Sequence, residues 1–414
     1  MTAPSRRTVV AWTLYDFANS AFVAVIPATV YSQYYALAVV GNEHGEGDFW
    51  WGLAVTTSMI VVALSSPPLG ALADHGGLRK RFLFALTYLS VAATALMATV
   101  RPGHVLWGWL LAVVGTVGFE GAIVYYNAYL SELAPPERQG RLSGYGFAVG
   151  YLGSAVALGA ALPFARRDDY SGTFLITAAL FGTFAIPAFL FLPADRPVRL
   201  SLRQAIGAAF AETRATLRGI LAMPALRRFL LAYLFFEDGI NTVVYFSSVF
   251  AGHTLGFTTP EVIQLYFVVQ LAAVVGAWAW ARPTDMRGPK FVVMVTLVQW
   301  CAVVVAAYFV ETKAQFFAVA VVAGTALGAA QAAGRAFMAA LIPPGREAEL
   351  FGFYALCGKT AAILGPLVFG LTSRLTGGNQ RIAIVSVGAF FVIGLALIRG
   401  VDAGGPVRRR AERC

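Results

Sequence analysis

Apolar runs dominate this chain, and their length, more than any fine periodicity within them, sets the first expectation. Stretches able to cross about 30 Å of hydrocarbon fall at 8–40, 49–73, 82–100, 104–132, 142–164 and 170–193. A second six fall at 228–251, 260–282, 290–310, 315–342, 350–374 and 380–400. The pattern predicts an all-α polytopic membrane protein of twelve spans in two pseudo-symmetric six-helix bundles. These are an N-terminal bundle over 1–193, a linker over 194–227 and a C-terminal bundle over 228–400, followed by a basic tail over 401–414. In the linker, Leu202, Ile206, Phe210, Leu217 and Leu221 fall on one helical face flanked by Arg203, Arg214 and Arg218. That is the pattern of an amphipathic helix lying at the headgroups and joining the halves.

The halves echo one another. Asp16-Phe17-Ala18-Asn19-Ser20 returns 222 residues later as Asp238-Gly239-Ile240-Asn241-Thr242. A short charged turn, Gly70 through Asp74, Gly77, Arg79 and Arg81, has a fainter copy in Asp285-Met286-Arg287-Gly288, 211 residues on. Pro136, Leu142 and Gly144 recur as Pro344, Leu350 and Gly352, 208 residues on. Parallel repeats of six helices are a transporter architecture.

Composition agrees: 58% hydrophobic residues and 13% charged over 414 residues exclude a soluble single-core domain. Of the 31 Lys and Arg, 23 fall in the even loops, the linker and the termini, against six in the odd loops. Positive loops stay on the cytoplasmic side, so both termini are expected there, and this bias accounts for the net charge of +10 without nucleic acid. Arg6 and Arg7 precede an apolar run too long for a signal-peptide core and containing Asp16, so the segment reads as a first span. The loop Gly41 to Asp48 carries only acids, and Trp50, Trp51, Trp107 and Trp109 fall where an outer aromatic belt would lie. Cys301, Cys357 and Cys414 are scattered, and His44, His75, His104 and His253 lie in expected loops, so neither a disulfide framework nor a metal site is expected. Gly352 to Gly358-Lys359-Thr360 imitates a phosphate loop, but five residues separate the glycines and no strand precedes them. No cofactor and no nucleotide are therefore expected; the partners implied are a small-molecule substrate, protons and the lipid bilayer, with the chain read as a monomer driven by a gradient.

Function should reside in the groups that are expensive to bury. Asp16, Glu120, Glu237, Asp238, Arg335 and Lys359 are ionisable residues inside expected spans. At about 2.5–3.5 kcal/mol each near the bilayer centre, they must face a cavity or one another. Counted at 1.5 Å per residue they form a layer roughly 12–15 Å deep, with Glu120 deeper, where alternating-access transporters bind substrate. Asn19, Tyr126, Asn127, Asn241, Tyr245 and Gln331 add neutral hydrogen-bonding groups. Arg335 reads either as a substrate contact or as an ion-pair partner of Glu237 or Asp238. Lys359 either joins the site or snorkels, and Asp16 either binds ligand or caps local helix irregularity beside Asn19 and Ser20. Glu120, with no cation in its own half at matching depth, is the first candidate for proton coupling, ahead of Asp16 and Glu237. A zwitterion fits this set, with its amine at Glu120 or Asp16 and its carboxylate at Arg335; so does a small cation plus a proton.

Gly70, Asp74, Gly77, Arg79 and Arg81 resemble the signature loop of the major facilitator superfamily, in which such a latch closes the cytoplasmic side. By that resemblance Asp74 would meet the start of the eleventh span near Leu350, with Asp285 in a weaker second latch. The whole chain further resembles the vacuole-effluxer family, whose fungal members are linked to release of amino acids from the vacuole. That resemblance rests on Trp12-Thr13-Leu14-Tyr15-Asp16-Phe17-Ala18-Asn19-Ser20, Tyr126-Asn127-Ala128-Tyr129-Leu130, Asp238-Gly239 and Ile342 through Tyr354 to Gly358-Lys359. It implies secondary active transport of an amino acid or similar zwitterion, with export as the direction. Gly334 stands where the family leads one to expect serine, and Glu237 where a neutral residue is usual. The compact loops point to a bacterial inner-membrane protein. Transport of drugs, organic cations or lipid-like solutes, and a transport-dead sensor, are the alternatives. An enzyme is not expected, since no nucleophile with a base and an orienting group is apparent.

Overall fold

The computed structural model describes residues 6–74, 79–129, 133, 136–194, 202–343 and 347–401, and every regular element among them is helical. The N-terminal half comprises α1 (Arg6–Val25), α2 (Val30–Gln33), α3 (Glu46–Asp74), α4 (Arg79–Leu96), α5 (Val105–Ala128), α6 (Pro136–Ala165) and α7 (Tyr170–Phe191). A linker helix, α8 (Leu202–Leu221), leads to α9 (Pro224–Leu255), α10 (Thr259–Arg287), α11 (Pro289–Phe309), α12 (Lys313–Leu341), α13 (Glu347–Thr360), α14 (Leu364–Leu375) and α15 (Gln380–Arg399).

Two spans are broken. The first bends at Ile26 to Thr29, where Pro27 supplies no backbone donor, and continues through α2 into a wider π-type helix over Tyr34–Val40. The eleventh is two helices, α13 and α14, separated at Ala361 to Ile363, with Gly365-Pro366 following. Ten helices among the described residues are long and apolar enough to span on their own. The two that fall short are the broken eleventh and α6, whose apolar part is Val149–Ala165.

Capping fixes the hairpins at the end opposite the termini. Thr258 and Glu261 form a capping box at the start of α10, Thr312 and Gln315 another at α12, while Asp169 and Asn379 accept from Gly172 and Ile382 at α7 and α15. Lys313 meets Glu261 at 2.6 Å and ties two of these ends together. Close helix contact inside each half depends on glycine. A Cβ on Gly153 of α6 would overlap the backbone of Phe17 in α1, and one on Gly328 of α12 would overlap the carbonyl of Ala273 in α10.

The outer belt expected of four tryptophans is only partly present. Trp107 is exposed, but Trp51 is buried and its indole N–H donates to the carbonyl of Tyr245 across the two halves at 3.0 Å. On α8 the described residues divide into a packed side and an open side. Thr216 and Ile220 are buried, α8 packs on α3, and Leu217 and Leu221 are exposed along with Arg214 and Arg218. The side chains of Leu202, Ile206 and Phe210 lie outside the described set.

Candidate functional site

The polar residues singled out from the sequence separate into three clusters and one helix cap. In the first cluster, the ring of Tyr126 on α5 stacks between Trp12 and Tyr15 of α1 at centroid distances of 4.6 and 4.9 Å. Its hydroxyl donates to Asp16 Oδ2 at 2.6 Å, and Trp12 Nε1 donates to the Tyr126 carbonyl at 3.2 Å. Gly146 of α6 lies so close to Asp16 Oδ2 that a side chain there would displace it. Asn19, one turn further along α1, is buried beside the Asp16 carboxylate, and its Nδ2 closes no well-formed hydrogen bond.

A second cluster lies in the other half. Glu237 on α9 is buried, and Arg335 on α12 is exposed and within electrostatic reach of both Glu237 and the Tyr354 hydroxyl. Tyr354 of α13 stacks on Tyr233 of α9 at 4.2 Å. Gly334, the residue next to Arg335, leaves just enough room for the Tyr354 hydroxyl, which a Cβ there would approach to 3.2 Å. A serine at 334 would compete for that space, so the departure from the family pattern and the position of Tyr354 go together. Gln331 stands one turn before Arg335 on α12 and is half-buried, whereas Asn127, at the end of α5, is exposed.

The third cluster joins the halves. Glu120 of α5 lines a cavity of about 60 Å³ with Phe22, Trp51, Met59, Phe119 and, from the C-terminal half, Tyr245. Such a volume admits a few water molecules. The hydroxyl of Tyr245 is within the field of Glu120, Glu237 and Asp238 together, so this residue sits where the acids of both halves are felt.

Asp238 and Asn241 do something more specific than line a cavity. The Asp238 carboxylate accepts from the backbone N–H of Leu364 at 3.2 Å and of Gly365 at 2.9 Å, the unsatisfied donors at the start of α14. Asn241 Nδ2 donates to the carbonyl of Ala361 at 2.7 Å. Together they hold both sides of the break in the eleventh span. Of the remaining candidates, Lys359 is on α13 with its side chain outside the described set. Gly70 and Asp74 end α3 with their side chains likewise outside it, and Gly77 falls outside the described residues. Arg79 opens α4 with its guanidinium 5.1 Å from the ring centre of Tyr129, Arg81 is exposed, and Asp285 is exposed near the end of α10.

One functional group escaped the sequence reading. Asp48, read there as one more outer acid, is wholly buried at the start of α3. Its Oδ2 accepts from Ser373 Oγ of α14, its Oδ1 accepts from Gln380 Nε2 of α15 at 2.7 Å, and Thr254 of α9 donates to Gln380 Oε1 at 2.7 Å. Further bonds between the halves surround it: Ser32 with Ser248 at 2.8 Å, Gln33 Nε2 to the Phe257 carbonyl at 3.0 Å, and Thr56 to the Ile363 carbonyl at 2.9 Å. They gather toward the end opposite the termini, which is sealed, while Asn127 and Arg335, both near the terminal end, are exposed. A buried aspartate is indistinguishable from a solvated one by composition, and Ser373 and Gln380, its partners, fall among other polar residues (Thr372, Arg374, Thr376, Asn379 and Arg381) that give them no distinction in the sequence.

The sequence model of the family described as "Vacuole effluxer Atg22 like" matches residues 52–408. The Bacillus subtilis (strain 168) protein named "Uncharacterized MFS-type transporter YxiO" is 32% identical over 94% of this chain and 93% of its own length. Autophagy-related protein 22 of Cryptococcus neoformans is 29% identical over 57% of this chain, a match that spans 48% of the fungal protein. The inward open structure of the xylose transporter XylE from E. coli superposes with a TM-score of 0.66 at 16% identity, covering 95% of each chain. The family, the bacterial relative and the xylose transporter are transporters rather than enzymes, and the helical fold is shared with the last. The chain belongs to the vacuole effluxer Atg22-like family and is a multi-pass MFS-type membrane transporter.

Proposed function

We propose that the protein moves an amino acid or similar zwitterion by proton-coupled alternating access, and that it works as an exporter in a bacterial inner membrane with both termini cytoplasmic. The observation that carries this reading is Arg335, an exposed residue of a membrane helix within electrostatic reach of buried Glu237 in one half, with Asp16 and Glu120 supplying carboxyls from the other. A carboxylate at Arg335 and an ammonium at an acid of the N-terminal half would draw the halves together around one small solute. In this reading Glu120, which lines a cavity shared with Tyr245, exchanges the proton as the halves part. Orientation rests on the 23 basic residues of the termini, linker and even loops. Export rests on the family description alone.

A thermal-shift screen of the purified protein against the twenty amino acids, polyamines and lipophilic cations tests the reading. A ligand at 100 times its Kd stabilises the folded state by about 2.7 kcal/mol. Stabilisation by amino acids, lost in Arg335→Ala, is the expected result. A response confined to lipophilic cations would instead favour transport of apolar solutes. One observation supports that second reading: an apolar cavity of about 110 Å³ among α9, α10, α11 and α12, lined by Phe250, Leu265, Tyr266, Trp300 and Phe316. Apart from Ala28 of the first span its lining comes from the C-terminal half, and no acid lines it.

A further inference from the structure

The repeated Asp-x-x-Asn pair appears twice in the chain and is occupied only once. In the C-terminal half, Asp238 and Asn241 project from successive turns of α9 and close on three polar atoms of the eleventh span: two N–H donors on the carboxylate and one carbonyl oxygen on the amide. The pair is therefore a clamp for a group that carries N–H donors beside an oxygen acceptor. In the N-terminal half, Asp16 and Asn19 stand at the matching positions of α1, but the helix packed against them, α6, runs unbroken from Pro136 to Ala165. No freed backbone is available there to fill the clamp. Tyr126 occupies Asp16 Oδ2, and the Asn19 amide lies beside the carboxylate without closing a well-formed hydrogen bond on it. Asn19 is 5% exposed, and its Nδ2 is buried without a well-formed hydrogen bond. An amide nitrogen left so costs stability unless something fills the site.

We infer that Asp16 and Asn19 form the subsite that holds the α-ammonium and one carboxylate oxygen of the transported amino acid, the ammonium on Asp16 Oδ1 and the oxygen on Asn19 Nδ2. This rests on the amino-acid reading above and deepens it. The ligand reproduces the chemistry that the break in the eleventh span presents to Asp238 and Asn241: N–H donors and an oxygen acceptor close together. The stack of Trp12, Tyr126 and Tyr15 holds the Tyr126 hydroxyl on Oδ2, which orients the carboxylate and leaves its other oxygen for the ligand. The second carboxylate oxygen then remains for Arg335 when the halves approach, so the N-terminal half binds first and the C-terminal half completes the site.

The test compares, by ligand-dependent thermal stability, each of the twenty L-amino acids with its decarboxylated amine and its N-acetyl derivative on the full-length protein in detergent. On the wild type, N-acetylation should abolish binding. Asn19→Leu should weaken the best amino acid about 10-fold to 100-fold, the loss of one charge-assisted hydrogen bond, while leaving the affinity for its decarboxylated amine unchanged. Asn19→Ser, which keeps a donor on a shorter arm, should fall between. Asn241→Leu should do the reverse, lowering the ligand-free Tm without changing the ratio of amino acid to amine. A ratio unmoved by both Asn19 variants, with amino acids still binding, would overturn the clamp and leave the amino-acid reading standing. Failure of every amino acid to bind the wild type would overturn both. Should the Asn19 variants not fold, the wild-type comparison decides: equal binding of the N-acetyl derivative overturns the clamp.

Discussion

The seal at Asp48 gives the sharpest test of how the two halves work against each other. Asp48→Ala removes the two bonds that the Asp48 carboxyl makes to the C-terminal half, those of Ser373 and Gln380, at a residue that is 0% exposed. Each bond is worth about 1 kcal/mol if the carboxyl is neutral and about 1.5–3 kcal/mol if it is ionised. The sealed state therefore loses at least about 2 kcal/mol against the state open at this end, where water replaces both partners. That is roughly a 30-fold change in the equilibrium between the two states, enough to bring a 97:3 preference close to parity. Spin labels on His104→Cys and Glu311→Cys, exposed residues on the two halves at this end, report the separation by pulsed electron resonance once Cys301, Cys357 and Cys414 are replaced. Asp48→Ala should add or enlarge a long-distance population, and Asp48→Asn, which keeps an acceptor, should do so less. Distance distributions identical in wild type and both variants would refute the argument that these bonds hold the halves together.

Three further outcomes follow from particular contacts. Glu120→Gln should abolish gradient-driven transport in proteoliposomes while sparing counterflow exchange; loss of both in a folded protein would make Glu120 a substrate ligand or a group needed for the conformational cycle. Asp238→Ala leaves the N–H groups of Leu364 and Gly365 without their acceptor, a loss of about 2–6 kcal/mol at roughly 1–3 per unsatisfied group, and should lower Tm; an unchanged Tm would remove its capping role. Gly328→Ala places a methyl on the Ala273 carbonyl, and overpacking of about 1–3 kcal/mol should lower Tm more than Gly159→Ala, where a Cβ meets nothing within 4 Å.

Much of this architecture is legible from the sequence because bilayer thickness acts on every span alike. Run length located the ten long apolar helices among the described residues, the charge bias gave each loop an expected side, and neither requires knowledge of packing. The clusters were legible only as membership. Asp16, Tyr126 and Asn19 were all expected to matter, but periodicity could not show that Asp16 and Tyr126 meet while Asp238 turns to a helix break. That break depends on Gly365-Pro366 and on whether a neighbouring helix offers an acceptor for the freed amides, which is a tertiary fact. Pro27 was a comparable local signal in the first span. Trp51 and Asp48 were misplaced for one reason: residues at the end of a span were assigned to lipid or water, and in a two-half protein the same depth can also be the seam between the halves.

That seam is built in a way that explains its poor visibility. Several of its bonds end on backbone carbonyls, those of Tyr245, Phe257 and Ile363, at donors from Trp51, Gln33 and Thr56. A carbonyl is offered by every residue, so one partner in each bond leaves no trace in the sequence; what exposes it is geometry, chiefly the bend of the first span and the break in the eleventh. Both irregularities therefore shape the seam as well as the packing within each half. Ile363 presents its carbonyl to Thr56 because the helix is interrupted there, and the interruption persists because Asp238 and Asn241 satisfy its two sides. Weakening that cap should consequently loosen the seal as well as the fold. In the spin-label experiment Asp238→Ala should shift the halves in the same direction as Asp48→Ala, although its nearest seam contact is through Ile363. A cap variant that lowers Tm while leaving the distance distribution untouched would separate the two roles and confine Asp238 to holding its own half together.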